Sequence, residues 1–299
     1  MKNLCITNIY LEKSENENSL EAFTSNRLIP LNKNPGLRPI GVGEVLRRIA
    51  GKVVMFIAKK DVKEAAGSLQ VCAGQEAGSE AAVHAIYDIF KKDETEAVLL
   101  VDAENAFNSI NRKAMLHNIS IICPIITTFI SNCYIKPARL FVIGKCELKS
   151  REGTTQGDPT AMAAYALGVT PIIQFLNEFI KINDHYSKEV AFADDFTVAG
   201  KVREIKHYWD MLLQIGPFFG YFPKPSKSYL IVKEQHHNNA VAAFIDSQVK
   251  ITTEGKRHLG AVIGSKSFKN SYSKSLVDEW ITQLKLLSKI AESEPQSAY

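Results

Sequence analysis

Over residues 1–26 the hydrophobic positions have no sustained period, and the stretch reads as a polar lead-in. RLIPLNKNPGLRPIGVG (27–43) follows as a turn-rich extended segment, punctuated by Pro30, Pro35-Gly36 and Pro39. Apolar residues then recur at Val45, Ile49, Val53, Phe56 and Ile57, close to a 3.6-residue period, and predict a helix from Glu44 to Ala66. Ser79 has the chemistry of an N-cap for a second helix ending at Phe90. AVLLV (97–101) is an unbroken apolar run closed by Asp102, the pattern of a strand buried on both faces.

Residues 112–135 predict helix interrupted at Pro124, and RLFVIGKCELKSREG (139–153) predicts a hairpin. Asp158 as N-cap and Pro159 as first helical residue predict a helix running to Ile180, kinked at Pro171. EVAFADDFTVAG (189–200) is two short β pieces, VAF and FTV, around an Ala-Asp-Asp turn. A helix from Glu204 to Ile215, strands at SYLIV (228–232) and HLGAVIG (258–264), and one amphipathic helix over 275–291 complete the pattern. Strands and helices alternate without a regular βαβ repeat, so the expected class is α+β.

Composition narrows the class of protein. With 45% hydrophobic and 23% charged residues the chain is neither a disordered polymer nor a fibre. The apolar run Ile119–Ile130 is short and broken by Pro124, against about 20 residues for a membrane span, so no membrane association is expected. The N-terminus turns polar after MKNLCITNIYL, without a signal-peptide cleavage region, and an intracellular place, cytoplasmic or nuclear, is expected. The 5 cysteines are odd in number and form no CxxC pair, which argues against a zinc site or a disulfide framework. The formal charge of +4 is uneven, at −1 for the first 200 residues and +5 for the rest. A basic C-terminal third permits polyanion binding.

The chemistry-bearing residues are carboxylates at defined places. Asp102 ends a buried strand, and Asp194 and Asp195 occupy a hairpin turn. If those two elements are neighbours, the acids converge, repel one another and favour a divalent cation with oxygen ligands. Either element alone reads equally as an ordinary turn or helix cap.

The order of the motifs adds to this. AVLLVDAENAFNSINR, then TTQGDPTAMAAYALGVTPI, then VAFADDFTVAG resemble the A, B and C motifs of reverse transcriptases. Upstream, RLIPLNKNPGLRPIGVGEVLRRIAGK resembles the fingers motifs of that family; downstream, PKPSKSYLIV resembles its lysine motif and HLGAVIG its primer-grip hairpin. The resemblance spans residues 27–264 and is nearest to non-LTR (LINE-like) or related retroelement polymerases. It implies an α+β fingers–palm polymerase core, with an antiparallel palm sheet backed by helices and a truncated thumb. The implied division is a lead-in (1–26), a fingers-like region (27–96), a palm with an interleaved fingers segment and primer-grip hairpin (97–264), and a partial thumb or C-terminal helix (265–299).

The resemblance also implies roles. Asp102 and Asp194, with the Ala103 carbonyl, would bind two Mg²⁺ ions (Mn²⁺ as a substitute), and Asp195 would support the cluster. Lys33 and Arg38 match residues that hold the triphosphate, which suits a point charge and a bidentate guanidinium. Phe107, five residues after Asp102, matches a steric gate that excludes a 2′-hydroxyl, and also reads as a core residue. Gln156 matches a contact to nucleotide and template, Gly157 a close backbone approach, and Lys227 a proton donor to pyrophosphate. Leu259 and Gly260 match the primer grip. Arg47, Arg48 and Lys52 read either as template-phosphate contacts or as a solvated helix face. The implied partners are an RNA template, a DNA primer, dNTPs and other domains of a larger polyprotein. Asn108, Phe192 and Thr160 depart from the common family pattern. Two alternatives stay open: an inactive remnant that only binds nucleic acid, and an RNA-dependent RNA polymerase.

Overall fold

The computed structural model describes residues 17–33, 36–143, 146–183 and 185–298. Residues 1–16 of the expected lead-in, with Cys5, and Pro35 of the turn-rich stretch lie outside the described residues. The rest of that lead-in is not loose. Helix α1 (Glu17–Thr24) buries Leu20 and Phe23, because two apolar residues three apart share one helical face.

After α1 come β1 (Asn26–Asn32), β2 (Leu37–Gly43), α2 (Val45–Ile57), α3 (Lys59–Ala66) and α4 (Gly78–Phe90). Next are β3 (Ala97–Val101), the one-turn α5 (Ala106–Ser109), α6 (Arg112–Ile122), α7 (Pro124–Tyr134), β4 (Ala138–Val142) and β5 (Cys146–Ser150). Helix α8 (Ala161–Ile182) precedes β6 (Lys188–Phe192), β7 (Asp195–Gly200), α9 (Val202–Ile215) and β8 (Tyr229–Val232). The chain continues through α10 (His237–Ala243), β9 (Lys250–Thr252), β10 (Gly255–His258), β11 (Ala261–Gly264) and α11 (Lys266–Ser293).

The central sheet has the order β6-β7-β3-β8-β9, antiparallel except for the β8–β9 pair. Every residue of β3 is buried, as the continuous apolar run predicts. Alternation explains how. Leu99 and Val101 point into the main core with Ile172 and Leu176 of α8 and Trp209 of α9, while Val98 and Leu100 join Ile86 of α4 and Ile263 of β11 on the other face. A second sheet, β2-β1-β4-β5, contains the hairpin predicted over 139–153 and shows that the turn-rich extended stretch 27–43 is a hairpin as well. The fold is thus α+β, with largely antiparallel sheets backed by helices.

Helix α8 is the one helix among the described residues long and apolar enough to cross a membrane, yet 67% of its most apolar stretch is buried within this core. It continues through Pro171 to Ile182.

Several local expectations are corrected. The helix expected over 44–66 is two, α2 and α3, meeting at Ala58, and Glu44 caps the first through Leu46 N–H at 2.5 Å. Its predicted apolar stripe faces outward: Val45, Ile49, Phe56 and Ile57 are exposed, and Arg47, Ala50, Gly51 and Val54 are the buried side. The cause is a long-range ion pair. Arg47 meets the Asp158 carboxylate at 2.7 Å and donates to the Thr24 carbonyl at 3.2 Å, which turns the helix's small face inward. Arg48 and Lys52 remain exposed. Helix α4 starts before Ser79, with Ala77 in the left-handed region at φ 50° as its first flanking residue. Helix α8 begins at Ala161 rather than Pro159, with Thr160 at the cap position. Asp158 bonds Thr160 N–H (2.8 Å) and Oγ1 (2.6 Å) while pairing with Arg47. HLGAVIG is not one strand: Leu259 and Gly260 turn between β10 and β11 with φ 48° and 86°. The C-terminal helix is longer than 275–291, and none of its residues is buried.

Breaking a buried ion pair leaves a desolvated charge, which costs about 3–5 kcal/mol. Asp158→Ala should therefore destabilise the chain by that amount in urea unfolding, and Arg47→Met/Asp158→Ala should recover part of it. A loss of under about 1 kcal/mol for the single variant would show that Arg47 does not depend on its partner.

Candidate active site

Sheet register brings the three aspartates to one edge. Val101 pairs with Phe196 in the β3–β7 ladder, so Asp102 is the residue that follows β3 and Asp195 precedes Phe196. Phe192 pairs with Asp195, which leaves Ala193 and Asp194 as a two-residue turn at that same edge. The segment after β3 is pinned by backbone bonds to the segment before β8. Lys224 N–H donates to the Asp102 carbonyl (2.7 Å) and Glu104 N–H to the Phe222 carbonyl (2.8 Å), bracketing Ala103. Asp102 N–H donates to Ser228 Oγ at 3.1 Å.

Asp102, Ala103 and Asp194 open onto a cleft of about 540 Å³. The same cleft is lined by Lys33 and Arg38 from the β1–β2 hairpin, Phe107 from α5, Gln156 and Gly157 from the loop before α8, and Lys227. Asp195, Leu259 and Gly260 do not line it. Leu259 and Gly260 tip the β10–β11 hairpin, which is tied to the central sheet by a 3.0 Å hydrogen bond between His258 Nε2 and Thr197 Oγ1. Gly157 has φ 104°, and a Cβ there would stand 2.9 Å from the Gly41 carbonyl oxygen, so a glycine is required where this loop packs against the β1–β2 hairpin. Gly41 N–H donates to the Gln156 carbonyl at 2.8 Å, docking the hairpin on the α8 loop.

Phe107 is half-buried and stacks on the buried Tyr165 ring, with centroids 4.5 Å apart and planes 21° from parallel. The ring packs on the core while lining the cleft. Three features were not foreseen in the sequence. Lys224 lines the cleft beside Lys227 and is paired with Glu104 at 2.5 Å. Gln70 and Tyr221, far from the acids in the chain, bond the turn that carries Asp194. Alternating Lys, Pro and Ser in PKPSKS is the only local signal for Lys224, and a lone buried Gln has none.

The electrostatics follow from burial first and crowding second. Burial pushes the Asp195 carboxyl up to about 7, with the Asp194 and Asp102 charges adding to it. Burial also raises Asp194, and Asp102 adds to the rise, whereas Lys33 and Arg38 oppose it. The cleft therefore brings buried and half-buried acids together with the cationic side chains of Lys33, Arg38, Lys224 and Lys227.

Among the described residues no three His, Cys, Asp or Glu side chains converge into a complete metal cage. Mg²⁺ is commonly held by only one or two carboxylates plus substrate phosphates. Asp102 and Asp194 on one cleft wall, with repulsion that a cation would relieve, fit that pattern of donors.

The sequence matches no family profile and no curated protein. Solved structures do resemble the fold. Apo telomerase from Candida tropicalis truncated from the C-terminal domain superposes with a TM-score of 0.54 at 13% identity, over 71% of this chain and 51% of that one. Telomerase from Candida albicans in complex with a TWJ fragment of telomeric RNA gives 0.57 at 9% identity, over 82% and 46%. Apo telomerase from Candida tropicalis gives 0.56 at 12% identity, over 85% and 48%. The chain thus spans about half the length of the telomerases it matches and shares the fold of the part it covers.

The raised carboxyls make a pH prediction. A folded-state value above the ordinary 3.8 favours the protonated acid in the fold, so stability is lost as pH rises from about 4 through about 7. For Asp195 this reaches up to about 4 kcal/mol without a cation. His258, pushed down to about 4 by burial, acts in the opposite sense in wild type and variant alike. The melting temperature of Asp195→Asn minus that of wild type, in EDTA, should therefore grow from near zero at pH 4 to a clear positive value at pH 7. A difference independent of pH would contradict the raised Asp195 carboxyl.

Proposed function

We propose that this chain is the RNA-directed DNA polymerase domain of a retroelement, adding dNTPs to a primer 3′-hydroxyl on an RNA template. The observation that carries the reading is one cleft lined together by Asp102 and Asp194, by Lys33 and Arg38, and by Phe107. The polymerase fold supports it, and so does the order of the motifs. A DNA primer, association with other domains of a larger polyprotein, and an intracellular site of action belong to the same reading.

Asp102, Asp194 and the Ala103 carbonyl would hold Mg²⁺, or Mn²⁺ in its place. Two such ions would supply Lewis-acid stabilisation of the attacking and leaving oxygens. The remaining work falls to the chain's own groups. Lys33 and Arg38 bind and orient the triphosphate from the β1–β2 hairpin. Gln156 and Gly157 border the nucleotide on the α8 side. Phe107 packs beneath the sugar and excludes a 2′-hydroxyl, with Tyr165 behind it preventing retreat. Lys227 delivers a proton toward the departing pyrophosphate. Leu259 and Gly260 hold the primer end from the hairpin beside the sheet. The bulk of Phe107 in the cleft favours DNA over RNA synthesis.

One primer-extension series on an RNA template tests this reading. Wild type should extend with dNTPs, and Asp194→Asn should lose extension by several orders of magnitude while remaining folded. Phe107→Val should shift the ratio of ribonucleotide to deoxyribonucleotide incorporation upward by at least about tenfold, or about 1.4 kcal/mol. Extension by Asp194→Asn at the wild-type rate would reject the metal role. A ratio that does not move in folded Phe107→Val would return Phe107 to the core.

A further inference from the structure

Asp194 occupies a two-residue turn, so the direction of its carboxylate is set by the turn's backbone. That backbone is not at rest by itself. Ala193 has φ 55°, in the left-handed region that residues with a Cβ seldom occupy. Such conformations persist where surrounding structure over-determines them.

Two side chains from outside the hairpin do so. The Gln70 carboxamide accepts from Ala193 N–H at 2.9 Å and donates to the Ala193 carbonyl at 3.1 Å. A carboxamide suits this double contact, since it carries a donor and an acceptor side by side. Gln70 is fully buried, and its own backbone is anchored: Val71 N–H donates to the Ala191 carbonyl (2.9 Å), and Ala191 N–H to the Leu69 carbonyl (2.7 Å). From the other side, the Tyr221 hydroxyl donates to the Asp194 carbonyl at 2.8 Å. The Tyr221 ring is buried and stacks on Phe196 at 4.5 Å, which fixes where the hydroxyl can reach.

We propose that Gln70 and Tyr221 form a two-sided clamp on the Ala193–Asp194 turn and so hold the Asp194 carboxylate in its cation-binding orientation. Both are positioning residues: neither lines the cleft. The inference rests on the reading of Asp194 as a metal ligand. The clamp resembles the outer-shell bonds that orient metal ligands elsewhere, whose removal typically weakens metal affinity about 10- to 100-fold.

The test uses the full chain and Mn²⁺ alone, with binding read by electron paramagnetic resonance and folding by melting temperature. Tyr221→Phe removes one hydroxyl and keeps the ring stack; Gln70→Met removes both amide contacts and keeps length and bulk. Each should weaken Mn²⁺ binding about tenfold or more and lower the single-turnover extension rate, with the KM for dNTP little changed. Leu212→Ala, a core change on α9, should lower the melting temperature without changing Mn²⁺ affinity. If Gln70→Met does not fold, Tyr221→Phe decides alone. Wild-type Mn²⁺ affinity in folded Tyr221→Phe would overturn the clamp while leaving the metal role of Asp194 intact. Mn²⁺ binding that Asp194→Asn leaves unchanged would instead overturn the underlying reading, and the clamp with it.

Discussion

The antiparallel pairing of β3 with β7 is the constraint on which the rest of this structure depends. The ladder ends with Val101 opposite Phe196, and that register carries Asp102 to the edge where Asp194 and Asp195 turn. A slip of one residue would reverse which side chains face each layer of the core. Because β3 is buried on both faces, with Leu99 and Val101 in one layer and Val98 and Leu100 in the other, both core layers oppose the slip. The same packing that stabilises the domain thus fixes three acids in a partly desolvated corner, where burial, with neighbouring carboxylate charge adding to it, raises the proton affinity of Asp194 and Asp195.

The surroundings of that corner are organised around it. The β1–β2 hairpin is docked on the α8 loop through Gly41 and Gln156, and it sets Lys33 and Arg38 against the acids. The loop itself is secured by Asp158, whose carboxylate both turns the chain into α8 and receives Arg47. The cationic hairpin and the loop before α8 consequently share one support. This gives a physical reason for an Asp in the Gln-Gly-Asp-Pro turn that needs no direct part in chemistry.

Much of this was legible in the sequence because it is local. The AVLLV run, the Ala-Asp-Asp turn, the break at Pro124 and the hairpin over 139–153 each announce themselves through short-range patterning, and the acids follow from where those elements end. The unread parts depend on partners distant in the chain. The outward stripe of α2 follows from Arg47 seeking Asp158, which no helical period records. Gln70 sits in an unremarkable stretch, and its meaning comes only from Ala193. The HLGAVIG turn, implied by the family resemblance, was invisible to periodicity because Leu259, an apolar residue, adopts a left-handed conformation usually left to Gly or Asn.

The central claim is that the β3–β7 edge is a cation site built from repelling carboxylates. Thermal unfolding of the purified chain at pH 7, titrated with Mg²⁺ against an EDTA reference, tests it most directly, because a ligand that binds only the folded state raises its stability. The account predicts a melting temperature that climbs with Mg²⁺ in the wild type and stays flat in Asp102→Asn/Asp194→Asn. An equal response of the two proteins, or none in the wild type, would contradict it.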